Sequence, residues 1–288
     1  MKAKLLMIQG TSSGAGKSTI VTGLCRIFAD LGYRVAPFKA QNMSSNIHII
    51  TKKSESLKIA QAQAIQAEAC RRRPDVKMNP ILLEPCGNFR SRVIFNGKLY
   101  SEMHAKEYYE TFTLQKGFPI VIEALQNLMI ENEIVVIEGA GSPAEINISK
   151  YDIANMLLAK KVDAPVIIVT DIERGGCFAS IVGTLMLLKP QYRRLTRGFL
   201  INKFRGDPLI LKPAIISVER ITGKKNFGVI PKLAINLPPE DSLDSISTIE
   251  IPRRDRDKEI DILANSLREK ISVDEIMENV LGLNKRQW

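Results

Sequence analysis

The run Gly10-Thr11-Ser12-Ser13-Gly14-Ala15-Gly16-Lys17-Ser18-Thr19 carries residue types suited to holding a polyphosphate. Successive backbone N–H groups of a glycine-rich turn converge on phosphate oxygens, and a helix that starts at the end of the turn adds its positive dipole. In that setting the Lys17 ammonium reaches the terminal phosphates and the Ser18 hydroxyl coordinates Mg²⁺, with Thr11 to Gly16 and Thr19 forming the cradle. The spacing departs from the plain G-x-x-x-x-G-K-S pattern, which needs glycine at position 11; here Gly10 stands one place earlier and Thr11 follows.

Two other polar positions invite chemistry. Glu138 directly follows the apolar run 134–137 and opens Glu138-Gly139-Ala140-Gly141. A carboxylate at the carboxyl end of a parallel strand stands where open α/β sheets bind ligands, and it can hold Mg²⁺; the lesser alternative is that it caps a turn. Asn202 ends the run 198–201, and its carboxamide can pair with both N6 and N7 of adenine or form a turn. Cys25, Cys70, Cys86 and Cys177 form no C-x-x-C pair, which argues against zinc and against a disulfide framework. His48 and His104 are the only histidines, so the chemistry is expected to rest on carboxylates, lysines and backbone amides.

These residues need strands to present them. Short apolar runs at 5–9, 34–38, 134–137, 165–170, 198–201 and 227–230 read as strands buried on both faces. Amphipathic helices are expected at 18–31, 57–71, 151–160, 179–188 and 209–221 between them. The alternation predicts an α/β fold with a mostly parallel sheet flanked by helices. A hairpin insertion over 90–100 turns at Asn96-Gly97, a type I′ signal. A long helical region at 105–132 follows, expected to be interrupted near Gly117 and Pro119. Residues 1–240 are expected to form the nucleotide domain, and 241–288 a linker with short charged helices at 257–270 and 274–280.

The chain has 288 residues, a net charge of +10 and 45% hydrophobic residues, which excludes disorder as its main state. No apolar run approaches the ~18 residues of a membrane helix, and the apolar stretch near the start falls short of the ~7 residues of a signal-peptide core. A cytoplasmic protein without membrane contact is expected. Ten basic residues between Lys189 and Lys225 face only Asp207 and Glu219. That surplus suits an anionic ligand or is a solvated face. No helix-turn-helix, zinc-finger or RRM signature accompanies it, so nucleic acid is not an expected partner.

Six blocks, taken together, resemble the cobyric acid synthase family: Gln9 through Ser18; Pro37-Phe38-Lys39-Ala40-Gln41-Asn42-Met43-Ser44; Glu138 through Asn147; Asp152-Ile153-Ala154-Asn155-Met156; Asp171-Ile172-Glu173-Arg174-Gly175-Gly176; and Asn202-Lys203-Phe204-Arg205-Gly206-Asp207. The resemblance covers residues 4–245 in the family's order and closes on 239–242. It implies a P-loop NTPase-like fold of the dethiobiotin synthetase type. It also implies an ATP-dependent amidoligase of cobalamin synthesis that amidates carboxylates b, d, e and g of adenosylcobyrinic acid a,c-diamide through acyl phosphates. By motif, Lys17 and Ser18 belong to the phosphate loop, Glu138 is the magnesium-binding carboxylate and Asn202 the adenine reader. Lys39 faces the transferring phosphoryl group, and Asp152 is a weaker candidate for ordering substrate or metal, with a helix cap as its alternative. Gln41, Asn42, Ser44 and Asn147 are candidate contacts for the corrinoid, and Asp171 and Arg174 for phosphate or substrate.

Family members continue into a glutaminase domain with a cysteine nucleophile and a distant histidine. No histidine follows His104 in this chain. Ammonia is therefore expected from solution or from a separate glutaminase subunit, unless the sequence is a piece of a longer one. A homodimer is compatible with the sequence. Rival readings are a cobyrinic acid a,c-diamide synthase, a dethiobiotin synthetase, or a MinD/ParA-like regulatory ATPase. The last normally carries an extra lysine where this chain has Ser12, and the Lys39-to-Ser44 block favours cobyric acid synthase over the other two.

Overall fold

The computed structural model describes residues 3–52, 54–238 and 252–284. Its centre is a six-stranded, all-parallel sheet built from β1 (Lys4–Gly10), β2 (Val35–Phe38), β9 (Ile134–Glu138), β10 (Val166–Asp171), β11 (Thr196–Phe204) and β12 (Lys225–Pro231). The order across the sheet is β12-β11-β10-β1-β9-β2. Every strand expected from the apolar runs is present. Their near-continuous hydrophobicity follows from burial on both faces: Leu5 and Met7 enter one core, Leu6 and Ile8 the other.

Helix α1 (Lys17–Asp30) leaves the end of β1 and packs beside α2 (Gln61–Ala69) and α9 (Arg253–Lys270) on one face. The opposite face is covered by α4 (Phe118–Glu131), α5 (Met156–Val162) and α6 (Cys177–Leu187), with α8 (Lys212–Thr222) beyond α6. The short helices α3 (Ala105–Glu107), α7 (Pro190–Arg193) and α10 (Val273–Glu275) complete the set. Helix α9 buries Ile260, Leu263, Ala264 and Leu267 in the α1-side core. Its acids Asp257 and Asp261 pair with the fully buried Arg26 of α1. This helix is amphipathic and seated on the domain, not a solvated appendage. The block at 239–242 lies outside the described residues.

Between β2 and β9 lies an insertion richer than the sequence suggests. β3 (Gln41–Met43) pairs parallel with β6 (Ile81–Pro85), and β7 (Arg90–Phe95) and β8 (Lys98–His104) extend that sheet antiparallel. The expected hairpin is there, with Asn96 and Gly97 both at positive φ (46° and 84°), as a type I′ turn requires. A second hairpin joins β4 (Ile47–Lys52) to β5 (Glu55–Ala60). Here the helix expected over 57–71 is corrected: residues 57–60 are strand, with Leu57 and Ile59 buried and Lys58 turned outward, and the helix starts at Gln61. Pairing with β4 overrides the helical pattern. The helix expected over 151–160 is likewise displaced to Met156–Val162, because residues 152–155 are spent on a turn that serves the site.

Residues 105–131 run as one helical segment without a break. What changes near Gly117 is the hydrogen-bonding period. A π-helix spans Tyr108–Gly117, with the Thr113 hydroxyl donating to the Tyr108 carbonyl at 2.7 Å, and α-geometry resumes at Phe118. Pro119 falls in the first turn of α4, where its missing N–H costs least.

Candidate functional site

The site forms where β1, β9, β10 and β11 end. Residues 11–16 cross the top of the sheet, with the Thr11 N–H held by the Val169 carbonyl (2.9 Å) and the Thr11 hydroxyl by Thr170 (3.1 Å). No side chain caps α1, whose N-cap is Gly16 in the left-handed conformation (φ 98°), so the helix start is free for an anion. A Cβ at Gly16 would lie 2.1 Å from the Asn202 amide nitrogen, so glycine here is demanded by both backbone conformation and close approach. The Lys17 ammonium lies over the turn, donating to the carbonyls of Ser12 (3.2 Å) and Gly141 (3.3 Å) and so joining the turn to the loop after β9.

Glu138 is the centre of the inner half. Register places it opposite Ile8 at the end of β9, and it is fully buried. Its Oε1 accepts from the Ser18 hydroxyl and from the Lys39 ammonium, each at 2.7 Å, and its Oε2 from the Gln66 amide. Lys39 stands at the joint where β2 of the large sheet passes into β3 of the small one. Its backbone is fixed there by Met78 (Lys39 N–H to the Met78 carbonyl, 2.8 Å) and by the Asn79 side chain. The structure brings Ser18, Lys39 and Glu138 into one cluster. Gln66, and Gln63 behind it, were not singled out from the sequence; the one available signal was this pair of glutamines three residues apart on one helix.

The outer half is built on a second carboxylate. Asp171 ends β10 directly opposite Asn202 of β11. Its Oδ2 pairs with the Lys203 ammonium at 2.8 Å, and Arg174 lies 3.7 Å away. Lys203, in the left-handed region at φ 63°, also donates to the Gly14 carbonyl (2.7 Å), while Asn202 donates to the Ala15 carbonyl (3.0 Å). Lys203 thus clamps the turn from outside, a role not anticipated although it adjoins Asn202 in sequence.

The loop after β9 is tied down by Asn155, another residue not singled out for this role. It accepts from the Ala140 N–H (3.1 Å) and donates to the Ala140 carbonyl (2.6 Å) and to Asp152 (3.2 Å). Asp152 also accepts from the Ala154 N–H (3.2 Å), so it shapes the turn and does not cap α5. Burial pushes its carboxyl up to about 6; the hydrogen bonds from Asn155 and the backbone oppose that, and the nearby Glu145 adds to it. Gln41 receives the Tyr108 hydroxyl at 2.7 Å, Asn42 and Ser44 are buried along and just after β3, and Asn147 is exposed beyond the β9 loop. Gln41, Asn42 and Ser44 therefore share one strand region, whereas Asn147 stands apart on its loop.

Residues 6–240 match the family model described as the CobQ/CobB/MinD/ParA nucleotide binding domain. The chain belongs to that family. It is 53% identical over 240 residues to a probable cobyric acid synthase of Thermococcus kodakarensis, covering 83% of this chain and 49% of that protein. It is 48% identical over 266 residues to the cobyric acid synthase of Streptococcus sanguinis, covering 92% and 52%. To the cobyric acid synthase of Dehalococcoides mccartyi strain CBDB1 it is 51% identical over 242 residues, covering 84% and 47%. The chain thus spans about half the length of the curated relatives it matches. The uncapped start of α1, with Lys17 and the glycine-rich turn before it, is an arrangement suited to an anion. Among the described residues no helix is long and apolar enough to cross a membrane.

Proposed function

We propose that the chain uses ATP to activate peripheral carboxylates b, d, e and g of adenosylcobyrinic acid a,c-diamide for amidation, as a synthetase of the cobyric acid synthase type. The observation that carries this reading is the cluster of half-buried Ser18 with buried Lys39 and Glu138 at the mouth of the phosphate turn, in a chain about half identical to cobyric acid synthases. A regulatory ATPase needs a phosphate cradle too; the buried Lys39, at the joint between the large sheet and the small one, favours a reaction beside that cradle.

The chemistry needs two displacements. A substrate carboxylate oxygen attacks the γ-phosphorus, the bond to ADP breaks, and an acyl phosphate forms. Ammonia then attacks the acyl carbon, the C–O bond breaks with its electrons leaving on phosphate, and the nitrogen sheds a proton. A carboxylate is a poor electrophile, and phosphorylation gives it a leaving group. The protein's share is positioning and charge neutralisation. Ser18 and Glu138 offer a hydroxyl and one carboxylate 2.7 Å apart, a hard-oxygen pair that fits Mg²⁺ completed by phosphates and water. The ion, when bound, neutralises charge on the β and γ phosphates. Lys17 spans the phosphates from the turn, Lys39 faces the transferring group from the sheet joint, and Asn202 reads adenine at the outer lip. Gln41, Asn42 and Ser44 line the strand nearest Lys39 and suit the amides and carboxylates of a corrinoid edge.

The test is an amidation assay with adenosylcobyrinic acid a,c-diamide, MgATP and ammonium. Stepwise exchange of OH for NH₂, seen by mass spectrometry and matched by ADP release, is the expected result. ATP hydrolysis that ignores the corrinoid would favour a switch-type ATPase.

A further inference from the structure

The Glu138 carboxylate is backed by a chain of carboxamides, of which Gln63 and Gln66 have no part in the proposed reaction. Asn42 of β3 donates through Nδ2 to Gln63 Oε1 at 2.9 Å, Gln63 Nε2 donates to Gln66 Oε1 at 3.4 Å, and Gln66 Nε2 donates to Glu138 Oε2. Asn42 is 3% exposed, and Gln63, Gln66 and Glu138 are 0% exposed. Polar side chains lose solvation when buried, and the inner face of α2 otherwise carries Ala64, Ile65 and Ala67. Apolar residues would fill positions 63 and 66 at lower solvation cost, so stability alone does not account for two buried glutamines. Each donor in the chain points the same way, toward the carboxylate, which terminates it. With Oε2 held by Gln66, Oε1 is turned toward Ser18 and Lys39.

We infer that Gln66, supported by Gln63 and Asn42, is the positioning residue that fixes Glu138 for metal binding and ties its orientation to the small sheet. The inference rests on the reading of Ser18 and Glu138 as magnesium donors. Partners behind a metal ligand typically change metal affinity about 10–100-fold.

The test is calorimetric binding of the ATP analogue adenylyl imidodiphosphate to the full chain, across a magnesium series and in EDTA. Gln66→Met keeps side-chain length and helix propensity but cannot donate. It is expected to raise the magnesium concentration for half-maximal tightening about tenfold, while affinity in EDTA stays at the wild-type value. Gln63→Met, one link further away, should shift the same midpoint in the same direction by less, and it serves if Gln66→Met does not fold. A variant midpoint equal to wild type, or an equal loss with and without magnesium, overturns the inference. Wild-type binding that ignores magnesium would instead overturn the reading of Ser18 and Glu138, and the inference with it.

Discussion

Two strand ends flank the phosphate turn, and each pairs an acid with a lysine. Glu138 and Lys39 meet at 2.7 Å with both side chains buried (0% and 3% exposed); Asp171 and Lys203 meet at 2.8 Å with the lysine 29% exposed. The inner pair carries further donors, the Ser18 hydroxyl and the Gln66 amide, and its lysine leads into the small sheet. The outer pair spends its lysine on the Gly14 carbonyl and so braces the loop. The same two charges thus serve different ends. Where both groups are out of water they interact strongly; where the lysine reaches solvent the attraction is partly screened, and the pair braces the turn.

That contrast can be broken by substitution. The largest effect belongs to the group common to both halves: Lys17→Ala should cut ATP-driven turnover about a thousandfold with little change in melting temperature, since this lysine serves the ligand. Steady-state kinetics alongside a thermal melt checks both parts. Next comes Glu138→Gln, which leaves the buried Lys39 without its counter-charge; a loss of about 3–5 kcal/mol in urea unfolding is expected together with loss of activity. Asp171→Asn should cost less than Glu138→Gln, because the Lys203 side chain is 29% exposed and can turn to water, and on the proposed function it should weaken nucleotide binding modestly. Added salt should mimic that variant in binding assays, whereas the inner pair should hold. Equal stability losses at the two acids would erase the distinction drawn between them.

A separate effect concerns Asp152 and is a matter of pH. Its folded carboxyl titrates at about 6 against 3.8 when unperturbed, so the folded state holds the proton more tightly. Stability from that proton is complete below about pH 4 and is lost as pH rises through about 6. Asp152→Asn should therefore gain stability relative to wild type across that window, as urea unfolding at a series of pH values would show. A difference that does not vary with pH would mean that Asp152 is not held protonated by burial.

The large sheet was legible because its strands are buried on both faces and read as unbroken apolar runs, such as Ile134 to Ile137. The turn around Gly16 and Lys17 was legible because its chemistry is local in sequence. The insertion was not: β3 and β6 are short, and β5 shows a helix-like pattern until its pairing with β4 is known. Gln63 and Gln66 escaped notice for a related reason. A glutamine on a helix reads as surface until the packing of α2 against β2 turns it inward. Lys203 and Asn155 likewise act through contacts with backbone far away in the chain, at Gly14 and Ala140, which no local spacing announces.

On the proposed function, a phosphoryl group passes from ATP to a carboxylate at the Ser18, Lys39 and Glu138 cluster. This transfer is tested most directly with a corrinoid substrate whose peripheral carboxylates carry heavy oxygen. Supplied with MgATP and ammonium, the protein should release phosphate that contains one heavy oxygen for each amide formed. Amide formation with unlabelled phosphate would contradict the account.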